Sequence, residues 1–566
     1  MKTRKEAPGE GPAPKYRPAK SVPFQLHMHC TIYFEEKLFH QALHLLLSLL
    51  SSNTIASGPA LIPSPQHLAV AATLIVHPST TTRVKSLESV QVANTALELL
   101  RLTNKLVGPL AAKFDIAFAF TRFSSSRNGR QRRGDGHNDS ANDSSSDFDT
   151  VPMRMDIARG GSLWFRSEDF WHAVGWAFNC AVLFPKRWSR WRVWLEFMCD
   201  VLEDDWTERE RLASNSSDGM ATPTAGHALL RDSLIFKYIS GSSGVSGHHR
   251  RIMRAVFADG KPPSLNEFKE VFRNELKEPE KGKDNLKRRE ADVNVDEDEF
   301  GDYLSKDEDD DAEEEDNDSY TTTRETQPSR PKRPRTRAPE FSLISTDDLN
   351  MDPSYSGSGA GHSGNVSQLG DLASLALRQR LMQLLSRVSN SLGKLYMELD
   401  KLYLLFVEFV RSLDLPTFQL LVSSPMLSSF TDDARTTLCE MILLRLLDNN
   451  PGSMEQYLSQ AKLETCFLPY AAYTNSSVDN AKVSILLETT LRLLASNGML
   501  HVRPSLQRAI EEGIVARSEK CQTDTRKSQG KQKMEESGWI WLVESGERMH
   551  YLVNKVMSKE NEGKRT

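Results

Sequence analysis

The chain has 566 residues, 39% of them hydrophobic and 26% charged, with a formal net charge of −5. No apolar run reaches about 18 residues and Met1 to Gly9 has no apolar core, so neither a membrane span nor a secretory signal is read, and a soluble intracellular protein without membrane contact is expected. The net charge conceals an asymmetry: residues 296–318 hold 15 acids and one lysine, a local −14, so the rest holds 70 bases against 61 acids, or +9.

In chain order, residues 1–22 are rich in Pro and Lys and are expected to be a disordered arm. Residues 23–277 read as an N-terminal helical domain, with helices at Ile32–Leu50, Pro65–Val76 and Val84–Val107 favoured by Ala, Leu and Glu content. Phe114, Ile116, Phe118 and Phe120 alternate in a way that fits a strand as well as a helix. Polar stretches near 124–150 and 207–228 read as disordered insertions.

Between them, residues 162–206 carry seven of the nine tryptophans. Ser167, Glu168 and Asp169 offer a cap for a helix that puts Trp171, Val174, Gly175, Phe178 and Val182 on one face. Pro185 ends that pattern, and a second helix places Trp188, Trp191, Trp194, Leu195, Met198, Val201 and Leu202 on one stripe. Its bases Lys186, Arg187, Arg190 and Arg192 come first and its acids Glu203, Asp204 and Asp205 last, against the preference of a helix dipole. Local helix stability does not account for this order; pairing with another surface does. Short helices follow at Leu229–Ile239 and Arg250–Phe257, and Ser264-Leu265-Asn266-Glu267 matches a capping box opening a helix to about Lys277.

Residues 278–370 form a low-complexity, charged stretch that cannot build a core and reads as a long disordered linker. Residues 371–513 then read as a helical bundle. Leu381, Leu385, Val388, Leu392, Leu395, Leu399, Leu402, Phe406, Phe409 and Leu413 alternate spacings of four and three, predicting one helix of roughly 50 Å. A coiled coil is one reading, but the apolar flanks Met382, Leu384, Tyr396, Tyr403, Leu405 and Val410 favour the central helix of a bundle. Further helices are expected near Asp432–Leu447, Met454–Cys466, Val478–Ala495 and Pro504–Glu512, then a linker at 514–536 and a terminal helix at 537–560. The fold class is therefore all-α: two helical domains, of bundle or irregular repeat type, separated by a disordered linker.

The chemistry-bearing patterns are sparse. Six scattered cysteines read as reduced thiols. His27, His29 and Cys30 lack a fourth metal ligand at sensible spacing. Gly359-Ala360-Gly361-His362-Ser363-Gly364 matches a dinucleotide fingerprint but follows no strand. His248, His249, Arg250, Arg251 and Arg254 are bases that read as a solvated face more readily than a phosphate site. No nucleotide, metalloprotease, hydrolase or kinase motif occurs, and no cofactor, metal or small-molecule substrate is expected.

What remains are binding features. Lys186, Arg187, Trp188, Arg190, Trp191 and Arg192 interleave base and aromatic around the Pro185 corner, as a protein hot spot or a nucleic-acid platform would. Lys332, Arg333, Arg335 and Arg337 form a candidate nuclear-import signal, with Lys287, Arg288 and Arg289 upstream. The sequence points to a non-catalytic nuclear scaffold or adaptor in a multi-subunit, chromatin-associated complex. A nucleic-acid-binding factor is the alternative, and a divergent enzyme the third reading.

Overall fold

The computed structural model describes residues 16–52, 58–83, 87–120, 153–216, 223–240, 247–277, 368–423, 431–447, 458–522 and 529–563. The chain is all-α as expected, apart from a short parallel pair of strands, β1 (Ala19–Ser21) and β2 (Ala60–Ile62). Two helical regions lie before residue 278 and after residue 367. The Gly359–Gly364 match and the insertion near 124–150 fall outside the described residues. Among the described residues no helix is long and apolar enough to cross a membrane.

The first region opens with α1 (Phe24–Glu35), α2 (Phe39–Ser51), α3 (Pro65–Val76) and α4 (Leu87–Ala111). Helix α3 begins where its sequence says it should, with Pro65 in its first turn and the Ser64 hydroxyl accepting from the His67 N–H. Helix α4 kinks at Gly108, whose φ of 78° is left-handed and whose missing side chain makes room for the Tyr16 ring. The alternating phenylalanines resolve as a helical turn, α5 (Phe114–Ala117): Phe114 and Phe118 stack at 4.7 Å and are buried, while Ile116 points to solvent.

A short α6 (Leu163–Arg166) leads into α7 (Phe170–Leu183), capped by Asp169, whose carboxylate accepts from the His172 N–H at 2.7 Å. The next helix, α8 (Pro185–Ser216), buries the whole predicted tryptophan stripe and runs on through the start of the insertion expected at 207–228. Ion pairs one turn apart explain the extension: Arg209 with Asp205 at 2.9 Å, Arg211 with Glu208 at 2.6 Å. Helices α9 (Pro223–Arg231), α10 (Leu234–Ser240) and α11 (His248–Val256) follow.

The capping-box reading at Ser264 fails. Helix α12 (Pro262–Glu267) starts two residues earlier at proline and ends where the long helix was expected to begin. Ser264 instead donates to Asn179 Oδ1 at 2.7 Å, and Phe268 closes on Gly175 so tightly that a Cβ there would stand 2.3 Å from the ring. Residues 268–277 turn without helix and deliver Glu275 into the interior.

In the second region the predicted 50 Å helix is two: α13 (Leu372–Leu392) and α14 (Leu399–Arg411). Gly393, a poor helix former, ends the first, and the break turns the heptad residue Leu395 outward, where it is 52% exposed. Then come α15 (Leu415–Ser423), α16 (Asp432–Leu446), α17 (Gln460–Lys462, continued by a wider turn to Phe467) and α18 (Ser477–Ser496). Helix α19 (Pro504–Gln522) and α20 (Gln529–Gly563) occupy most of the linker expected at 514–536.

The two regions, distant in sequence, share one core. Helix α13 packs on α8 and α9, and α14 on α11. Arg378 of α13 is fully buried in the joint, donating to the carbonyls of Val256 (2.5 Å), Ala258 (2.9 Å) and Leu369 (3.1 Å), over the Phe178 ring at 4.0 Å. Burial pushes its guanidinium down to about 9, against the opposing charges of Asp259 and Asp371. Around it, Arg380 pairs with Asp200 (2.8 Å) and Glu203 (2.7 Å), and Arg387 with Glu210 (2.5 Å). Asp200, Glu203 and Glu210 of α8 are thus matched by bases of the second region, while Asp204 and Asp205 accept from Asn104 and Arg209 of the first.

Candidate interaction surfaces

The corner at Pro185 is mostly interior. Arg187 is 3% exposed: its Nε donates to Glu275 Oε1 at 2.7 Å and its Nη2 to the same oxygen, while the remaining donors reach Val76 O (2.6 Å) and Thr81 Oγ1 (2.8 Å). Trp191, fully buried, donates to Glu275 Oε1 at 2.6 Å and meets Trp194 edge-on. Trp188 is also buried and donates to Asp371 Oδ2 at 3.0 Å, the residue that caps α13. Arg187, Trp188 and Trp191 are therefore structural, which corrects their assignment as an exposed contact.

A buried base needs an acid to meet it. Glu275 supplies one from 88 residues away. Of the others, Lys186 is exposed, Arg190 donates to Asn94 Oδ1 at 2.8 Å, and Arg192 lies 3.5 Å from Glu196. At this corner no face interleaving base and ring is left at the surface. Lys332, Arg333, Arg335 and Arg337 lie outside the described residues.

The bases of α11 are also engaged. Arg250 forks onto Glu408 at 2.9 and 3.0 Å, Arg251 reaches Asp169 at 2.5 Å, and Arg254 forks onto Glu267 at 2.6 and 2.8 Å. Near α1, the Cys30 thiol is buried and pushed up to about 11, and His27 lies against His67 with ring centres 4.8 Å apart. Among the described residues no group of three metal-ligating side chains converges.

Two surfaces that the sequence did not single out are open. Helix α20 buries Leu542, Ser545, Met549 and Val553 on one face, where Ser545 and Arg548 hydrogen-bond Glu488 of α18. On another face it presents Ile540 (58% exposed), Val543 and Tyr551 (68% exposed). Val515 of α19, its neighbour in the fold, is exposed too.

The second surface is an open groove of about 790 Å³ formed by α14, α16, the segment around Tyr473 and the start of α18. Leu404, Met441 and Leu444 give it an apolar floor; Arg411 and Arg445 bring guanidinium groups to it. Its Asp479 accepts from Thr474 Oγ1 at 2.6 Å. Four separate segments contribute, so no local pattern could have revealed it.

No family model matches the chain, and neither a curated protein nor a solved structure is found similar to it.

Proposed function

We propose that this chain is a non-catalytic nuclear scaffold or adaptor that holds protein partners on its helical surfaces within a multi-subunit, chromatin-associated complex. The observation that carries the reading is the two-sided helix α20, which packs one apolar face into the fold and leaves Ile540, Val543 and Tyr551 in water. Apolar side chains aligned on a surface helix are what a partner helix or groove covers. The alternative, direct nucleic-acid binding, rested chiefly on the Pro185 corner, and that corner's tryptophans are used inside the protein.

The test is capture with the tagged full-length chain, its I540E/V543E variant, and the wild type after nuclease treatment, with partners identified by mass spectrometry. A defined set of proteins retained after nuclease and lost from the variant is expected. Loss of all partners on nuclease treatment favours the alternative; identical sets for wild type and variant remove α20 as the surface. Nuclear residence is tested by imaging a fluorescent fusion with Lys332, Arg333, Arg335 and Arg337 neutralised, for which cytoplasmic retention is expected. A cytoplasmic wild type would refute it.

A further inference from the structure

The groove of the second region pairs apolar floor with unengaged positive charge, and that combination specifies an occupant. Arg411 and Arg445 stand in the last turns of α14 and α16, where the helix dipole favours a cation. Both are exposed, and neither has a carboxylate within ion-pair distance among the described residues. Arg187, Arg250, Arg251, Arg254, Arg380 and Arg387, by contrast, each meet an acid.

The groove's one acid, Asp479, accepts from the Thr474 hydroxyl, and against its single negative charge stand two guanidinium groups. A third cation lies just beneath: Lys482, nearly buried, donates to the Arg411 carbonyl at 2.7 Å and so fixes the end of α14. Below the guanidiniums Leu404 is 38% exposed, and Tyr473 stands open to water on the rim. The volume suits several residues of a peptide rather than a single small ion.

We infer that this groove docks an acidic amphipathic peptide of a partner protein, with Asp or Glu side chains on Arg411 and Arg445 and an apolar side chain on the Leu404–Met441–Leu444 floor. A guanidinium accepts a carboxylate through two parallel hydrogen bonds, which fixes the peptide's orientation as well as its charge. The inference deepens the adaptor reading and rests on it.

It is tested by fluorescence anisotropy with the full-length chain and a labelled synthetic peptide of Glu and Leu at helical spacing, beside two controls in which Lys replaces Glu or Ser replaces Leu. Saturable binding of the Glu–Leu peptide is expected, weakened by salt, absent with the Lys control and at least about tenfold weaker with the Ser control. The R411Q/R445Q variant is expected to lose affinity by more than about tenfold at an unchanged melting temperature. R411K/R445K keeps the charge without the fork and is expected to fall between. It also decides the matter should the glutamine variant unfold. Failure of the wild type to bind the Glu–Leu peptide, equal binding by either variant pair and the wild type, or equal binding of the Ser control overturns the inference. None of those results touches the capture experiment on α20, so the groove and the adaptor reading fail separately.

Discussion

Arginine serves opposite ends in two regions of this molecule. At the start of α8, Arg187 donates to Glu275, Val76 and Thr81, so that each of its three nitrogens is hydrogen-bonded inside the fold. At the groove, Arg411 and Arg445 reach water from helix ends and meet no acid among the described residues. The first arginine lies in the densest base-and-tryptophan cluster of the sequence; the other two lie in stretches with no evident motif. Density of binding-type residues therefore marked a core, because the aromatic rings that make a hot spot also make the best interior, and one distant carboxylate is enough to take a cation with them.

Exchanging Arg187 is the strongest way to break this contrast. R187Q leaves Glu275 buried with only neutral donors, and a loss of about 3 to 5 kcal/mol is expected, read as a lower urea midpoint. R187Q/E275Q is expected to recover part of it. A midpoint equal to that of the wild type would return Arg187 to the surface.

Acid comes next. Burial, then the neighbouring His27, hold the His67 imidazole down to about 3, with Thr31 Oγ1 at 3.0 Å and the Phe34 ring as its other contacts. Unfolded, the same ring takes a proton below about pH 6.5, so between about pH 6.5 and 3 the unfolded chain binds a proton that the folded one refuses. Stability therefore falls as pH falls, by about 2 kcal/mol at pH 5 from this residue. Acid unfolding followed by circular dichroism should be shallower for H67Q. A slope unchanged by the substitution would show His67 to be solvated.

The smallest effect is expected where arginine is partly exposed. R380Q removes the fork onto Asp200 and Glu203 and should cost about 1 kcal/mol, shrinking in high salt, whereas the R187Q loss should persist. Equal salt dependence of the two variants would erase the distinction between the sites.

Much of the helical framework was legible because local chemistry set it: Pro65 and Ser64 fix one start, Thr431 caps α16, and the tryptophan stripe of α8 is buried residue for residue. The errors came where long-range partners overruled local pattern. The heptads looked continuous across Gly393, yet Leu395 faces water. Ser264 looked like a cap, yet Asn179 claims its hydroxyl. The candidate corner was legible as a cluster, but its burial depends on Glu275 and Asp371, which no spacing rule connects to it. The groove's residues come from four segments and carry no signature at all.

The buried joint at Arg378 carries a consequence for how the gene could be divided. Its donors hold carbonyls from both sides of residues 278–367, and Trp188, Arg380 and Arg387 reinforce the same seam. Non-covalent contacts therefore join the halves beside the covalent link. A chain severed between Lys277 and Gln368 would persist as one particle, and two separately encoded halves would have to find each other to finish folding, each being the other's missing wall.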